Sequence, residues 1–274
     1  MPEKFYAQIV YLVPILVSLL FGLGCASLFL LQPVPTIPVT PFPEDNPSGP
    51  FGNALYFVIL IAASATIFYI LLKRKSRRLI SLLIAFAMTA ASLLLSIIYL
   101  SAIFAYLPSL EVLVLPLALI VTAFFVLAVF RLGSKARNTA VVCLGGALGV
   151  FFGASIPLFS AVLILAFLAV YDVFAVYYGP VGKIAHSGLD QLQGLSYSFK
   201  EVQMGLGDLV FYSMLSGSML FNFNSLLPCL FSIVGILAGS LLTLVMLEKK
   251  GIFPGLPFPI ILGLAGGILA SLVV

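Results

Sequence analysis

The 274-residue sequence has no tryptophan, one histidine, three cysteines and very little charge. Its 13 Lys or Arg and nine Asp or Glu residues amount to 8% of the chain, where a water-soluble domain carries about a quarter. Such a chain cannot cover a surface that faces water on all sides, which excludes a soluble enzyme, a nucleic-acid binder and a disordered tail. The lone imidazole, His186, falls in a polar loop and cannot by itself build a metal site, which argues against a metalloprotease. Cys25, Cys143 and Cys229 are scattered through apolar stretches, with neither metal-ligand spacing nor even pairing. They read as small buried hydrophobes, and no metal or cofactor is expected.

What the chain has in quantity is apolar residues, 62% of the total. Spanning about 30 Å of hydrocarbon takes about 20 helical residues, and helices are required because unpaired backbone groups are costly in lipid. Nine segments qualify: 9–31, 54–72, 79–106, 110–130, 139–155, 158–179, 205–223, 226–247 and 252–274. The expected fold class is therefore an all-α polytopic membrane protein with nine transmembrane helices. The first run, 23 residues, is too long for a signal-peptide core of about 7–15. Gly22-Leu23-Gly24-Cys25 faintly matches a lipoprotein cleavage site, but the apolar run continues beyond it.

Residues 32–53 hold seven prolines and Glu44-Asp45, and are expected to form an irregular external loop. The other connections are short except 180–204. One integrated membrane domain is expected, made of a six-helix part (1–179), a cytoplasmic loop (180–204) and a three-helix part (205–274). With the N-terminus inside, all 13 Lys and Arg residues fall on the cytoplasmic side, the largest cluster being Lys73, Arg74, Lys75, Arg77 and Arg78. That partition supports a cytoplasmic N-terminus and an external C-terminus. Small residues repeat at i+4 in Gly145/Gly149/Gly153, Gly235/Gly239 and Gly263/Gly267, a spacing that lets helix backbones approach closely.

Of nine acidic residues, only Asp172 and Asp208 lie well within spans. A carboxylate there is expensive, and its default reading is a functional site facing the bundle interior. At 1.5 Å per residue Asp172 lies roughly 10 Å from the cytoplasmic edge of its helix and Asp208 roughly 5 Å deep in the next. Two antiparallel neighbours thus bring the carboxyls to similar heights. Ala169, Ala175 and Gly179 leave room on the Asp172 face, Tyr212 and Ser216 continue a polar stripe from Asp208, and Tyr171 is placed to line the cavity edge. Gly205-Leu206-Gly207 frees the backbone at the start of the seventh span.

Two close carboxyls in low dielectric share a proton and titrate as a pair. The ionised partner can deprotonate an attacking water while the protonated one polarises a scissile carbonyl. An ion or proton relay in a transporter uses intramembrane acids too, and a scaffold would use an Asp–Asp or Asp–Tyr bond merely to join helices. The carboxylates alone do not separate protease from transporter. Pro254-Gly255-Leu256-Pro257-Phe258-Pro259 stands on the same side of the membrane as both acids. Its prolines prevent a regular helix, and unwound backbone at membrane depth lines a cavity or is buried in protein. Such a segment can accept a substrate strand or coordinate an ion.

Taken together, Tyr171-Asp172, Gly205-Leu206-Gly207-Asp208 and Pro254-Gly255-Leu256-Pro257 resemble the three signatures of the presenilin/signal peptide peptidase family of intramembrane aspartyl proteases. The orientation and the proline after Leu256 resemble the presenilin branch, and the compactness is similar to prokaryotic, archaeal homologues. The resemblance implies a presenilin-like nine-helix fold and a catalytic pair formed by Asp172 and Asp208. It further implies that Tyr171, Gly205, Leu206, Gly207, Pro254, Gly255 and Leu256 position substrate, and that transmembrane helices are cleaved within the membrane after local unwinding. The implied partners are transmembrane-helix substrates and membrane lipid, with no nucleic acid and no obligatory partner subunit; a homo-oligomer is compatible. The family's Pro-Ala-Leu is Pro-Gly-Leu here, and function is expected to survive the lost methyl group. The long cytosolic loop that presenilins cleave during maturation is reduced to 180–204, which argues against self-cleavage. Prepilin peptidases share Gly-x-Gly-Asp but usually carry Lys two residues later, where this chain has Val210.

Overall fold

The structure, a computed structural model, describes residues 6–31, 39–46, 48–74, 76–178, 196–199 and 202–273. Among the described residues are nine α-helices. They are α1 (Val13–Leu31), α2 (Gly49–Lys73), α3 (Arg77–Phe104), α4 (Val114–Phe130), α5 (Ser134–Ser155), α6 (Leu158–Tyr177), α7 (Leu206–Phe223), α8 (Leu226–Lys250) and α9 (Pro257–Ser271). Short 3-10 stretches at Ile9–Leu12 and Pro108–Leu113 lead into α1 and α4.

Three helices start five residues away from their expected ends. α2 begins at Gly49 rather than 54, because Pro50 in its first turn presets a helical φ, so residues 49–53 are helix and not loop. α5 begins at Ser134 rather than 139: Gly133, at φ 95, turns the chain, and the polar residues 134–138 are helical although too hydrophilic to register as a span. α9 begins at Pro257 rather than 252, leaving residues 252–256 outside any helix. Gly251, at φ 76, ends α8 while its N–H bonds back to the Leu247 carbonyl. Between α7 and α8 the chain reverses in two residues, with Asn224 left-handed at φ 47 and the Ser225 hydroxyl accepting the Leu227 N–H.

Seven helices are long and apolar enough to cross a membrane by length and composition. The two that fall short are α7 and α9. α7 is the centre of the bundle: every residue from Tyr212 to Leu220 is buried, and α1, α5, α6, α8 and α9 pack around it. A helix screened from lipid on all sides has no need of an apolar surface, so its serines and glycine are tolerated. α9, 15 residues long, packs along α8.

The i+4 glycines make these contacts, as their spacing predicts. A Cβ on Gly153 would lie 2.7 Å from the Met214 carbonyl oxygen and from the Ser218 nitrogen of α7. A Cβ on Gly239 would lie 2.5 Å from Phe258 and Pro259 backbone at the start of α9. In lipid, where burial between helices gains little hydrophobic energy, close backbone contact is what holds such pairs together.

Part of the proline-rich loop is tied to the bundle. Asn53, fully buried, accepts the Phe42 N–H at 3.0 Å and donates to the Phe42 carbonyl and the Ser160 hydroxyl, each at 2.9 Å. Glu44 accepts the Ser160 N–H at 2.9 Å, capping the first turn of α6 from outside its own helix. Residues 32–38 lie outside the described residues, as do 179–195, which take in Gly179, His186 and most of the 180–204 loop. The end of that loop is not irregular: β1 (Ser196–Phe199) and β2 (Val202–Gly205) form an antiparallel pair with Ser196 opposite Gly205 and Phe199 opposite Val202. β1 lies against α5, and β2 runs directly into α7.

Candidate active site

Two adjacent helices and one unwound segment build the site. α6 carries Asp172 five residues before its last residue, Tyr177. α7 carries Asp208 in its first turn, at the positive end of the helix dipole. Both side chains are half-buried.

The unwound segment meets both acids. The Leu256 N–H donates to Asp172 Oδ2 at 3.0 Å. At Gly255 a Cβ would stand 3.3 Å from Asp208 Oδ2 and 3.4 Å from its Oδ1, so this backbone lies directly against the carboxylate. Pro254 and Leu256 are buried while Gly255 is half-buried. The Phe253 and Phe258 rings stack across the segment at 5.4 Å with 12° between their planes, and Lys250 Nζ lies 5.6 Å over Phe253. Pro254, Pro257 and Pro259 have no N–H, so a helix through this stretch would lack three of its donors.

The structure distributes the remaining sequence-predicted residues unevenly. Gly205 is both the last residue of β2 and the N-cap of α7, with extended φ and ψ of −69 and 144. Neither it nor Gly207 uses the left-handed region, so conformational freedom is not why glycine stands there. Nor is either crowded: a Cβ on Gly205 would face Asp208 Oδ2 at 3.6 Å and one on Gly207 would meet only the edge of Phe211, both ordinary contacts. Leu206 is buried against Gly145 of α5 and anchors the helix start. Tyr171 is half-buried beside Asp172, and Ala169 and Ala175 are buried as their small size predicts.

Tyr212 reaches further than its place in a polar stripe suggests. Its hydroxyl donates to the Gly255 carbonyl at 2.9 Å, while the Ser216 hydroxyl at the next turn returns to its own helix, on Ser213. Sequence gives one signal for this, the i+4 spacing from Asp208 to Tyr212; the partner, 43 residues away, has none. Among the described residues no group of three His, Cys, Asp or Glu side chains could hold a metal ion. Cys25 and Cys143 are half-buried on the wall of a cavity of about 590 Å³ between α1, α3, α4 and α5, and Cys229 is buried.

A carboxylate pair against unwound backbone inside a helical bundle is an arrangement suited to hydrolysing a peptide drawn alongside that backbone. Residues 7–186 match the protein family described as signal-peptide peptidase, presenilin aspartyl protease. The chain belongs to that family. The matched stretch includes Tyr171-Asp172 and stops short of the segment 205–208. No curated protein matches the chain. Two solved structures described as a presenilin family intramembrane aspartate protease share its fold. One, in a C222 space group, has a TM-score of 0.67 at 19% identity, covering 97% of this chain and 99% of that one. The other, in P2, has a TM-score of 0.66 at 21% identity, covering 99% and 98%. As a member of the presenilin aspartyl protease family the protein is a hydrolase and an integral membrane protein with a presenilin-like fold.

The one departure from the family's proline motif, Gly255, can be weighed on this geometry. A methyl group at 255 would stand slightly too close to the Asp208 carboxylate, which is the free end of a side chain and can shift by a few tenths of an ångström. Gly255→Ala is therefore expected to retain cleavage, with kcat within about tenfold of the parent. It also restricts the unfolded chain, adding about 0.4–1 kcal/mol of stability. Progress curves and thermal unfolding of the purified variant check both.

Proposed function

We propose that the protein hydrolyses peptide bonds within transmembrane helices, using a water activated between Asp172 and Asp208. The observation that carries this reading is the convergence of both acids on one stretch of non-helical backbone, through Leu256 N–H at one carboxylate and Gly255 at the other. The carboxylate that is ionised takes a proton from the attacking water, and the protonated one polarises the scissile carbonyl and then protonates the leaving nitrogen. Gly205, Gly207 and Gly255 leave the space beside Asp208 that an extended substrate requires, and Pro254 and Leu256 fix the wall against which it lies. Tyr171 borders the same space. A substrate helix unwinds locally, since its scissile bond must be free of its own helical hydrogen bonds to meet the acids.

The distribution of Lys and Arg supports a cytoplasmic N-terminus and an external C-terminus, with the acids near the cytoplasmic side. We assign residues 1–179, 180–204 and 205–274 to the six-helix part, the cytoplasmic loop and the three-helix part of one domain. The protein acts without an obligatory partner subunit, as one chain or as a homo-oligomer.

The test is incubation of the detergent-solubilised protein with a model single-span peptide whose N-terminus is external in its native membrane, followed by mass spectrometry. Two products with new termini inside the apolar stretch are expected, and a hydroxyl-isostere transition-state inhibitor should suppress both. Intact substrate, or products indifferent to the inhibitor, would overturn the reading.

A further inference from the structure

Two hydrogen bonds at the site share one peptide group. Tyr212 donates to the Gly255 carbonyl oxygen at 2.9 Å, and the N–H that donates to Asp172 Oδ2 at 3.0 Å is that of Leu256. Gly255 C=O and Leu256 N–H are the two ends of a single planar unit. A planar unit gripped at one end cannot tilt without swinging the other, and a donor on its carbonyl polarises its N–H toward a better bond. Beside it, the Leu256 carbonyl accepts the Ile260 N–H at 3.0 Å, while Pro254 and Pro257 have no N–H to contribute.

The grip comes from a particular place. Tyr212 is 2% exposed and lies one turn beyond Asp208 on the same face of α7. One helix therefore holds one acid directly and reaches the other through the 255–256 peptide. We propose that Tyr212 is a positioning residue that sets the orientation of the Asp172 carboxyl by clamping this peptide, an inference that rests on the proteolytic reading above. The Leu256 N–H holds Oδ2 against the backbone and so fixes how the Asp172 carboxyl is presented to the water or to the proton shared with Asp208. In this role Tyr212 acts through the backbone that its hydroxyl holds.

Tyr212→Phe keeps the ring and removes the grip, together with the hydroxyl's contact with Ser240. Tyr99 supplies the comparison, because its hydroxyl also donates to a backbone carbonyl, Ala147 at 2.7 Å, between α3 and α5 on the wall of the cavity that contains neither acid. Both variants lose one such bond, so a purely structural role predicts the same outcome for both. The expected result is that Tyr99→Phe and Tyr212→Phe lower Tm alike, while only Tyr212→Phe lowers kcat, by about 10²-fold, the effect of a displacement of roughly 1 Å at reacting groups. KM rises less than kcat falls, because only the 255–256 peptide of the substrate wall is freed while Pro254 stays buried. If Asp208→Asn abolishes turnover and Tyr212→Phe leaves kcat as in the parent, or moves kcat no more than Tyr99→Phe does, the positioning role is overturned and the protease reading stands. If Asp208→Asn turns substrate over like the parent, both are overturned.

Discussion

Asparagine in place of Asp172 or Asp208 is expected to cut peptide-bond cleavage by about 10²–10⁴-fold, the contribution usual for a general acid or base, with the fold unchanged. Neither role survives the replacement, because an amide neither takes a proton from water nor donates one as a carboxylic acid does. The hydrogen bonding around the site largely does survive. At 172 the amide oxygen still accepts the Leu256 N–H. At 208 the near-isosteric side chain occupies the same space beside Gly205 and Gly255. Loss of chemistry should therefore be separable from loss of structure. Mass spectrometry of products, run beside thermal unfolding of the same preparations, makes the comparison. Undiminished turnover in either variant removes the two-carboxyl mechanism, and an acid serving only as an ion relay gives that outcome.

Gly149→Ala should be nearly as damaging, although the residue touches no substrate. A Cβ there would overlap the Val210 carbonyl oxygen and stand 2.5 Å from Ser213 Cβ and 2.8 Å from the Met214 nitrogen. These atoms belong to or adjoin the backbone of α7, so none can swing aside and the two helices must part. Overpacking of this kind costs roughly 1–3 kcal/mol, occasionally more, against a total stability of about 5–15 kcal/mol. The displaced helix is also the one that carries Asp208, so cleavage should fall together with Tm. Gly24 is the control, because its Cβ would meet nothing within 4 Å. Gly24→Ala is expected to leave stability unchanged or raise it by up to about 1 kcal/mol, since alanine is the better helix former. Far-UV circular dichroism suits the measurement, since the chain has no tryptophan to report unfolding. A parental melting curve for Gly149→Ala would contradict the close contact of α5 with α7.

The nine helices among the described residues were legible because lipid imposes long apolar runs, and the glycine repeats announced where backbones meet. Boundaries were harder, since helix and hydrocarbon need not end together: residues 134–138 are polar yet helical, and Pro50 starts a helix inside what composition marks as loop. The hairpin at 196–199 and 202–205 was not legible. Strands of four residues in a polar stretch give too little alternation to be told from loop. At the site, Asp172 and Asp208 stood out because charge is rare in a span, and three prolines marked the broken helix. The clamp by Tyr212 and the Leu256 N–H bond join residues 43 and 84 apart. Such bonds depend on how whole helices dock, and no local pattern carries that information.

α9 has 15 residues, which rise only about 22 Å, while the hydrocarbon layer measures about 30 Å. A bilayer meets such a hydrophobic mismatch by pinching in around the short element. The missing length lies at the end where the chain is unwound, beside the two carboxyls. Each bond cut consumes one water molecule, and among apolar helices that molecule has to come from somewhere. Local thinning at that end would bring the aqueous phase toward the carboxyls, so the shortness of the last helix offers a route for the water that hydrolysis consumes.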